Sequence, residues 1–554
     1  MAAQTKYPPT KMKYPHQTLL SANFTVFCFY IAFLFKSEAQ VLQPAFQYSG
    51  QQLQTAGPMA ALKNGQIINA GTFEGEVNWA GVFLENSGGA DIFIAAFNPD
   101  QNAPEWILGG GSAEDDVISG LAVDSSDNML VIGAAFGQFH LENLELLSDN
   151  SINPRFLFLI KINAQGEVMN GWTIQGNQDY AFTHVTSDYQ GNWIVSGYFQ
   201  GTLFFSDTSL VAQSSSDLFI AKFDADGNLL WALREGITGI TRPVVIKADH
   251  WGNLMVAGAF NRSTSIAGVE LEASSNDRDM FLAKYTSSGE GLWAIKAGGV
   301  LDDDVVDMEI SRSGHIFAAG YFVGVLNPGN GIFLQTDDGD PDFFILKFDE
   351  NGIPTGGISF GGTEFQLTRD IDAYNQQIVL TGLFQGTLTV DGQSWDSGQN
   401  YAGFVGLFSE SLDFLYGVAI TSDAGCAPSA AIFDHSGNIW ITVSFAGVSI
   451  IGNTLLTATG DFDALLLKMH IQTGYHEQQN FVSWTITSNP VGDYIDLVGW
   501  EPGDIIYLMD LQSRLLGKRA HNGRISITHL PAGIYILICS RAEKKKVFRI
   551  VKGI

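Results

Sequence analysis

The residues best suited to chemistry in this chain are aspartates. Asp302-Asp303-Asp304 with Asp307, and the loop Asp337-Asp338-Gly339-Asp340-Pro341-Asp342, put hard oxygen ligands at the density a Ca²⁺ ion needs. The candidates are Asp302, Asp304, Asp338 and Asp340. A repeat reading competes with this one: Asp302 lies twelve residues before Gly314, as Asp115 and Asp179 lie twelve before Asp127 and Gly191. A position that recurs at fixed spacing marks a turn or a strand start, so no cofactor is expected. The histidines His140, His184, His250, His315 and His435 show no i, i+4 pair beside a carboxylate, as a zinc site would require, and are read as solvated turn residues. No G-x-S-x-G, H-E-x-x-H or Cys-His arrangement is present. Leu108–Gly111 (LGGG) matches Gly298-Gly299 and Gly361-Gly362 as a repeat turn, with no helix after it to cradle a phosphate. Trp440, Tyr198, Tyr321 and Phe384 could form a sugar platform, but their register favours packing between units. Catalytic residues are therefore expected to be none, and the chain is not expected to be an enzyme.

The scaffold that positions these groups is a sevenfold repeat. DIFIAAF at Asp91–Phe97 returns as FLFLIKI, DLFIAKF, DMFLAKY, DFFILKF, AGFVGLF and finally DALLLKM at Asp463–Met469. The third residues are 93, 158, 219, 281, 344, 404 and 465, in steps of 65, 61, 62, 63, 60 and 61. A second series runs in phase with glycines at 71, 133, 197, 258, 320 and 382, and with Val443 in the seventh copy. Trp106, Trp172, Trp231 and Trp293 form a third. Short apolar runs bounded by turns such as Ala225-Asp226-Gly227-Asn228 read as strands, four to a unit. Such units repeated around an axis predict an all-β fold, a seven-bladed β-propeller. The last unit lacks a fourth strand, and the unassigned Ala45–Gly50 is expected to supply it and close the ring. An open solenoid is the competing architecture.

Net charge is −29, which argues against nucleic-acid binding. Residues 479–554 hold ten Lys/Arg against six Asp/Glu, and residues 1–39 four against one, which leaves 40–478 at −36. Lys11 and Lys13 precede the apolar run Phe24–Phe35, and Ser37-Glu38-Ala39 offers a cleavage site between Ala39 and Gln40. Residues 1–39 are thus read as a signal peptide, with Met1 and Met12 as alternative starts. The run is short for a membrane span, and no transmembrane segment is expected in the mature chain. Cys426 and Cys539 fall in different modules, so no cystine framework supports the fold. Residues 40–478 are assigned to the propeller and 479–554 to a small C-terminal β-sandwich of six or seven strands.

The C-terminal module carries Asn489, Pro490 and Asp493, then Asp510…Gly517, then Leu530–Tyr535 with Gly533 and Tyr535, and a basic close ending near Lys552. In that order these motifs resemble the type A sorting domain of the type IX secretion system of Bacteroidetes. The resemblance covers residues 485–554, and the hairpin at Asp510 lacks the usual early glycine. It implies passage across the outer membrane by the type IX machinery, then release or attachment at the surface. The repeats resemble SBBP-type propeller repeats, most closely over Asp217–Phe322, a family without a single established activity. The expected function is a secreted or outer-membrane-surface, non-catalytic binding or adhesion module for an extracellular polysaccharide or protein ligand. The alternatives are an extracellular polysaccharide hydrolase or lyase with two carboxylates at the central mouth, and a structural part of a surface assembly.

Overall fold

The computed structural model describes residues 42–99, 101, 103–148, 154–275, 277–336, 339–452 and 454–470, and further on 485–486, 494–498, 505–510, 515–518, 524–531, 533–541 and 544–552. The Ala39–Gln40 boundary, Asp338, Asn489, Pro490 and Asp493 lie outside these residues. Two compact units result, one of them Gln40–Ile471 and the other containing Gln472–Ile554.

The first unit is the seven-bladed propeller. Its innermost strands, which number the blades one to seven, are Gln54–Ala61, Val117–Val123, Tyr180–Ser187, Thr241–Ala248, Asp303–Ile310, Gln366–Tyr374 and Cys426–Phe433. Blade two continues with Met129–Phe136, Arg155–Ile162 and Val168–Gly176, each antiparallel to the last. The four strands agree with the sequence reading. In blade seven, Leu42–Tyr48 pairs with Asp463–Met469 as the outermost strand, so the N-terminal strand closes the ring. Each interface between neighbouring blades holds its own apolar cluster, including the closing one, where Tyr48, Trp440 and Leu466 meet Met59, Phe73 and Phe93. The open solenoid is excluded.

Every repeated residue has a packing cause. Each innermost strand carries a β-bulge, between Pro243 and Val245 in blade four for instance. The second-strand glycine faces it: a Cβ on Gly258 would overlap both the Arg242 carbonyl and the Phe281 ring. Blade seven trades both partners together, with Val443 for the glycine paired to Leu465 where the first six copies have phenylalanine. The repeat lysines tie blade to blade. Lys161 Nζ donates to the Ala225 carbonyl at 2.7 Å, and Lys222 to Ser287, Lys284 to Glu350 and Lys347 to Glu410 do the same one blade further each time. Repeat aspartates accept from the chain just before their own strand, as Asp91 does from Ser87 N at 2.7 Å and Asp217 from Gln213 N at 2.7 Å.

One element was not anticipated. Between the second and third strands each blade adds a two-stranded hairpin, such as Gln138–Leu141 with Leu144–Leu147. It reaches the outer strand of the preceding blade, pairing His140 with Gly111 and Leu141 with Gly110. This corrects the turn reading of LGGG. Gly109, Gly110 and Gly111 end the strand Pro104–Gly111, and glycine is needed because a Cβ on Gly110 would overlap the His140 carbonyl. Gly362 stands in the same relation to Thr387.

The second unit is a small β domain. Thr485–Ile486, Tyr494–Val498 and Arg524–Ser526 form one sheet, and Leu515–Lys518, Ile505–Asp510, Gly533–Arg541 and Lys544–Lys552 the other. Ile495, Ile506, Leu508, Ile525, Ile527, Tyr535 and Leu537 are buried within it. Asp510 ends one strand opposite Tyr535, Gly517 pairs with Leu508, and Gly533 pairs with Lys552. Among the described residues no helix is long and apolar enough to cross a membrane.

Candidate functional site

An innermost propeller strand has a sheet neighbour on one side only, so its inner N–H and C=O groups face the central channel without strand partners. The channel widens into a cavity of about 490 Å³ whose wall is drawn from all seven blades. That wall is not symmetric. Blades three to six contribute His184, Lys247, Asp307, Arg369, Asp370 and Asp372, whereas blades seven, one and two contribute Ala430, Ile432, Met59, Gly120 and Ala122.

Three of the acids cross to the next blade. Asp307 Oδ2 accepts from Ile371 N at 3.2 Å, Asp370 Oδ2 from Ala431 N at 2.7 Å, and Asp372 Oδ2 from Phe433 N at 2.7 Å. Glu309, on the same strand as Asp307, pairs with Lys247 at 2.7 Å. Burial, then the charge of Asp307 and a hydrogen bond between the two carboxyl groups, push Asp370 well above the usual carboxylate range. Burial and the neighbouring Glu309 lift Asp372 to about 7. Burial would lower the Lys247 ammonium, but Glu309 and Asp307 outweigh it and raise it. His184 is pulled down to about 4, by burial first and Lys247 second, so it is neutral at physiological pH.

His184 corrects the solvated-turn reading. It sits within Tyr180–Ser187 rather than in a turn, and its Nδ1 is buried without a hydrogen-bond partner. His250 and His435 do stand exposed in turns. Asp307 and His184 were singled out in the sequence for other roles, but Asp370 and Asp372 escaped it because they occupy positions where the repeats differ: Asp370 aligns with Gly120, Val245 and Ala430 opposite the second strand.

The other candidates are dispersed. Asp302 and Asp304 both pair with Arg278, at 3.3 and 2.8 Å, and Asp304 also accepts from Tyr321 OH at 2.9 Å. Asp340 stands in the hairpin-to-strand loop before Asp342, away from that pair in sequence. Among the described residues no three His, Cys, Asp or Glu side chains converge as metal ligands. Trp440 and Phe384 are buried between blades, as expected. Tyr198 and Tyr321 are only half-buried, and the Arg242 guanidinium stacks on Tyr198 at 3.9 Å beside a cavity of about 420 Å³. In the C-terminal domain two motif residues clasp one turn: Tyr535 OH donates to the Pro531 carbonyl at 2.6 Å, and Lys552 Nζ to those of Leu530 and Ile527, each at 2.7 Å.

No family model matches the chain. A stretch of 130 residues is 28% identical to an uncharacterized WD repeat-containing protein of Acanthamoeba polyphaga mimivirus, covering 22% of this chain and 9% of that protein. Another of 176 residues is 26% identical to the regulatory protein FlaEY of Caulobacter vibrioides, covering 30% and 18%. The chain therefore spans under a fifth of either curated relative. Among solved structures, a protein of unknown function from Dyadobacter fermentans aligns with a TM-score of 0.34 at 10% identity, over 77% of this chain and 99% of that one. The extracellular domain of a putative hybrid two-component system from B. thetaiotaomicron aligns with a TM-score of 0.22 at 10% identity, over 91% and 81%.

Proposed function

We propose that this chain is an exported, secreted or surface-held protein whose propeller is a non-catalytic binding or adhesion module for an extracellular polysaccharide or protein. The C-terminal domain is the address label. Its basic close and Leu-Pro-Ala-Gly-Ile-Tyr motif meet at one turn through Lys552 and Tyr535, which supports reading them together as the recognition element of the type IX machinery. The observation that carries the non-catalytic reading is the use to which the channel acids are put. Asp307, Asp370 and Asp372 each take up an inner-edge N–H of the next blade, which gives these carboxylates a structural task in closing the ring. Recognition then falls to the faces of the ring, where the loops differ from blade to blade. The test is retention of the mature chain, residues 40–554, on immobilised polysaccharides, with Asp370→Asn beside the wild type. Equal retention by both supports a structural role for the channel acids.

A second reading has one specific support. Asp307 and Asp370 are neighbouring carboxyls on the wall of the cavity of about 490 Å³, and a carboxyl pair that shares one proton is a source of general acid and base. In that case the chain is a hydrolase or lyase, and Asp370→Asn abolishes polymer shortening while leaving retention intact.

A further inference from the structure

The turns that join first to second strands share one frame in most blades. In blade three, Asp188 accepts from Gln190 N at 2.9 Å, Asn192 N at 3.0 Å and Asn192 Nδ2 at 2.9 Å, and Lys222 neutralises it at 2.8 Å. Blade four repeats this with Asp249, Trp251 N, Asn253 and Lys284. In blades three and four the charge of the frame is cancelled by its lysine, so what each turn presents depends on its two central residues. These are Ser125-Ser126, Arg312-Ser313 and His435-Ser436 in blades two, five and seven, but Tyr189-Gln190 and His250-Trp251 in blades three and four.

Tyr189 and Trp251 are 61% and 56% exposed, and they stand on neighbouring blades at the same end of the ring. Tyr189 lies over the adjacent turn, where a Cβ on Gly252 would press on its ring at 3.0 Å. The Trp251 ring rests on His250 with centroids 3.3 Å apart. Beside Tyr189 are uncharged hydrogen-bonding groups, with Gln190 Nε2 donating to Tyr189 OH at 3.1 Å and Asn192 Nδ2 to Gln190 Oε1 at 3.2 Å, while the Lys284–Asp249 pair and Glu350 lie near Trp251. Held rings lose little entropy on binding. Two rings edged at once by amides do not make the broad apolar core of a protein interface. They suit a ligand with a flat C–H face rimmed by hydroxyls.

We infer that Tyr189 and Trp251 form a carbohydrate-binding platform on the face of the ring bearing the first-to-second-strand turns, for a neutral glycan whose pyranose rings stack on the two aromatics. This rests on the binding reading above and names its substrate class and surface. A polyanionic glycan is disfavoured, since the flanking groups offer no free cation and residues 40–478 carry −36.

Cellohexaose, laminarihexaose and polygalacturonate titrated into the mature chain, with the heat of binding as readout, test the platform. A saturable change is expected with at least one neutral hexaose and not with polygalacturonate. Trp251→Ala should weaken it at least about tenfold, about 1.4 kcal/mol, and Tyr189→Ala less, with melting temperatures unchanged. Binding that survives both substitutions overturns the platform while leaving the binding function in place. No binding of any glycan overturns the platform and the polysaccharide branch of the binding reading, leaving a protein as the ligand. Self-association of the mature chain that Trp251→Ala abolishes would assign the surface to a second copy and contradict the inference.

Discussion

Lys468 Nζ donates to the Pro99 carbonyl at 3.3 Å, joining the last blade to the first across 369 residues of sequence. It is the closing member of the lysine series that links successive blades. Blades one and six lack the lysine, having Ala96 and Leu407 at that position. The ring is thus closed twice, by this tie and by the strand Leu42–Tyr48.

Tyr48 measures the worth of that closing strand. It is fully buried, with Phe46, Trp79 and Phe93 rings 4.7–5.0 Å away, yet its hydroxyl has no hydrogen-bond partner. Tyr48→Ala should cost about 3–5 kcal/mol in urea unfolding. Tyr48→Phe removes a stranded polar group and should stabilise by about 1 kcal/mol. A loss from Tyr48→Phe would mean that the hydroxyl has a partner after all.

The glycine and phenylalanine of the repeat act as a pair. Gly258→Val should destabilise by about 2–3 kcal/mol through overlap with the Arg242 carbonyl and Phe281. Blade seven offers the converse. Val443→Gly and Leu465→Phe should each be costly alone and less so together, with a coupling of about 1 kcal/mol in a double-mutant cycle. Strict additivity would contradict the pairing.

Stability should fall as pH rises. Burial lifts Asp91 to about 6, Asp116 to about 7 and Asp303 to about 8, besides Asp372. A raised folded-state pKa means that the folded protein holds the proton more tightly. Its contribution is present in full below the unfolded value near 4 and is lost as pH rises through 6 to 8. Melting should therefore be higher at pH 5.5 than at pH 8.5. Asp303→Asn should narrow the gap by raising the alkaline value, by about 1–2 kcal/mol. A melting temperature that climbs between those pH values would refute the assignment.

The C-terminal clasp gives a cellular test. Loss of residues 479–554 should leave the propeller in the periplasm, and Lys552→Ala should reduce surface delivery by freeing the turn at Leu530. Delivery of the truncated chain to the surface would contradict the sorting reading.

What could be read from the sequence was what repeats. The strand order of each blade and the closing strand near Phe46 were legible, because inter-blade packing imposes the same Asp, Lys, Gly and Phe on most copies. The extra hairpins were not. Their strands, Val77–Trp79 and Val82–Leu84 in blade one, run three to five residues and share no fixed motif. Asp370, Asp372 and the Tyr189–Trp251 pair were hidden for a related reason, since they occupy positions that vary among blades. Where Asp370 and Asp372 face the next inner strand, other blades place Gly120 and Ala122, and only three-dimensional closure reveals that they share a wall.

The most direct test of a binding module is the length of a polymer kept with the mature chain. Polysaccharides retained by the protein, with and without Ca²⁺, are followed by light scattering over extended incubation. Saturable retention at constant polymer mass, unchanged in Asp307→Asn and Asp370→Asn, is the expected result. Progressive shortening that either substitution abolishes would contradict it and make the channel an active site.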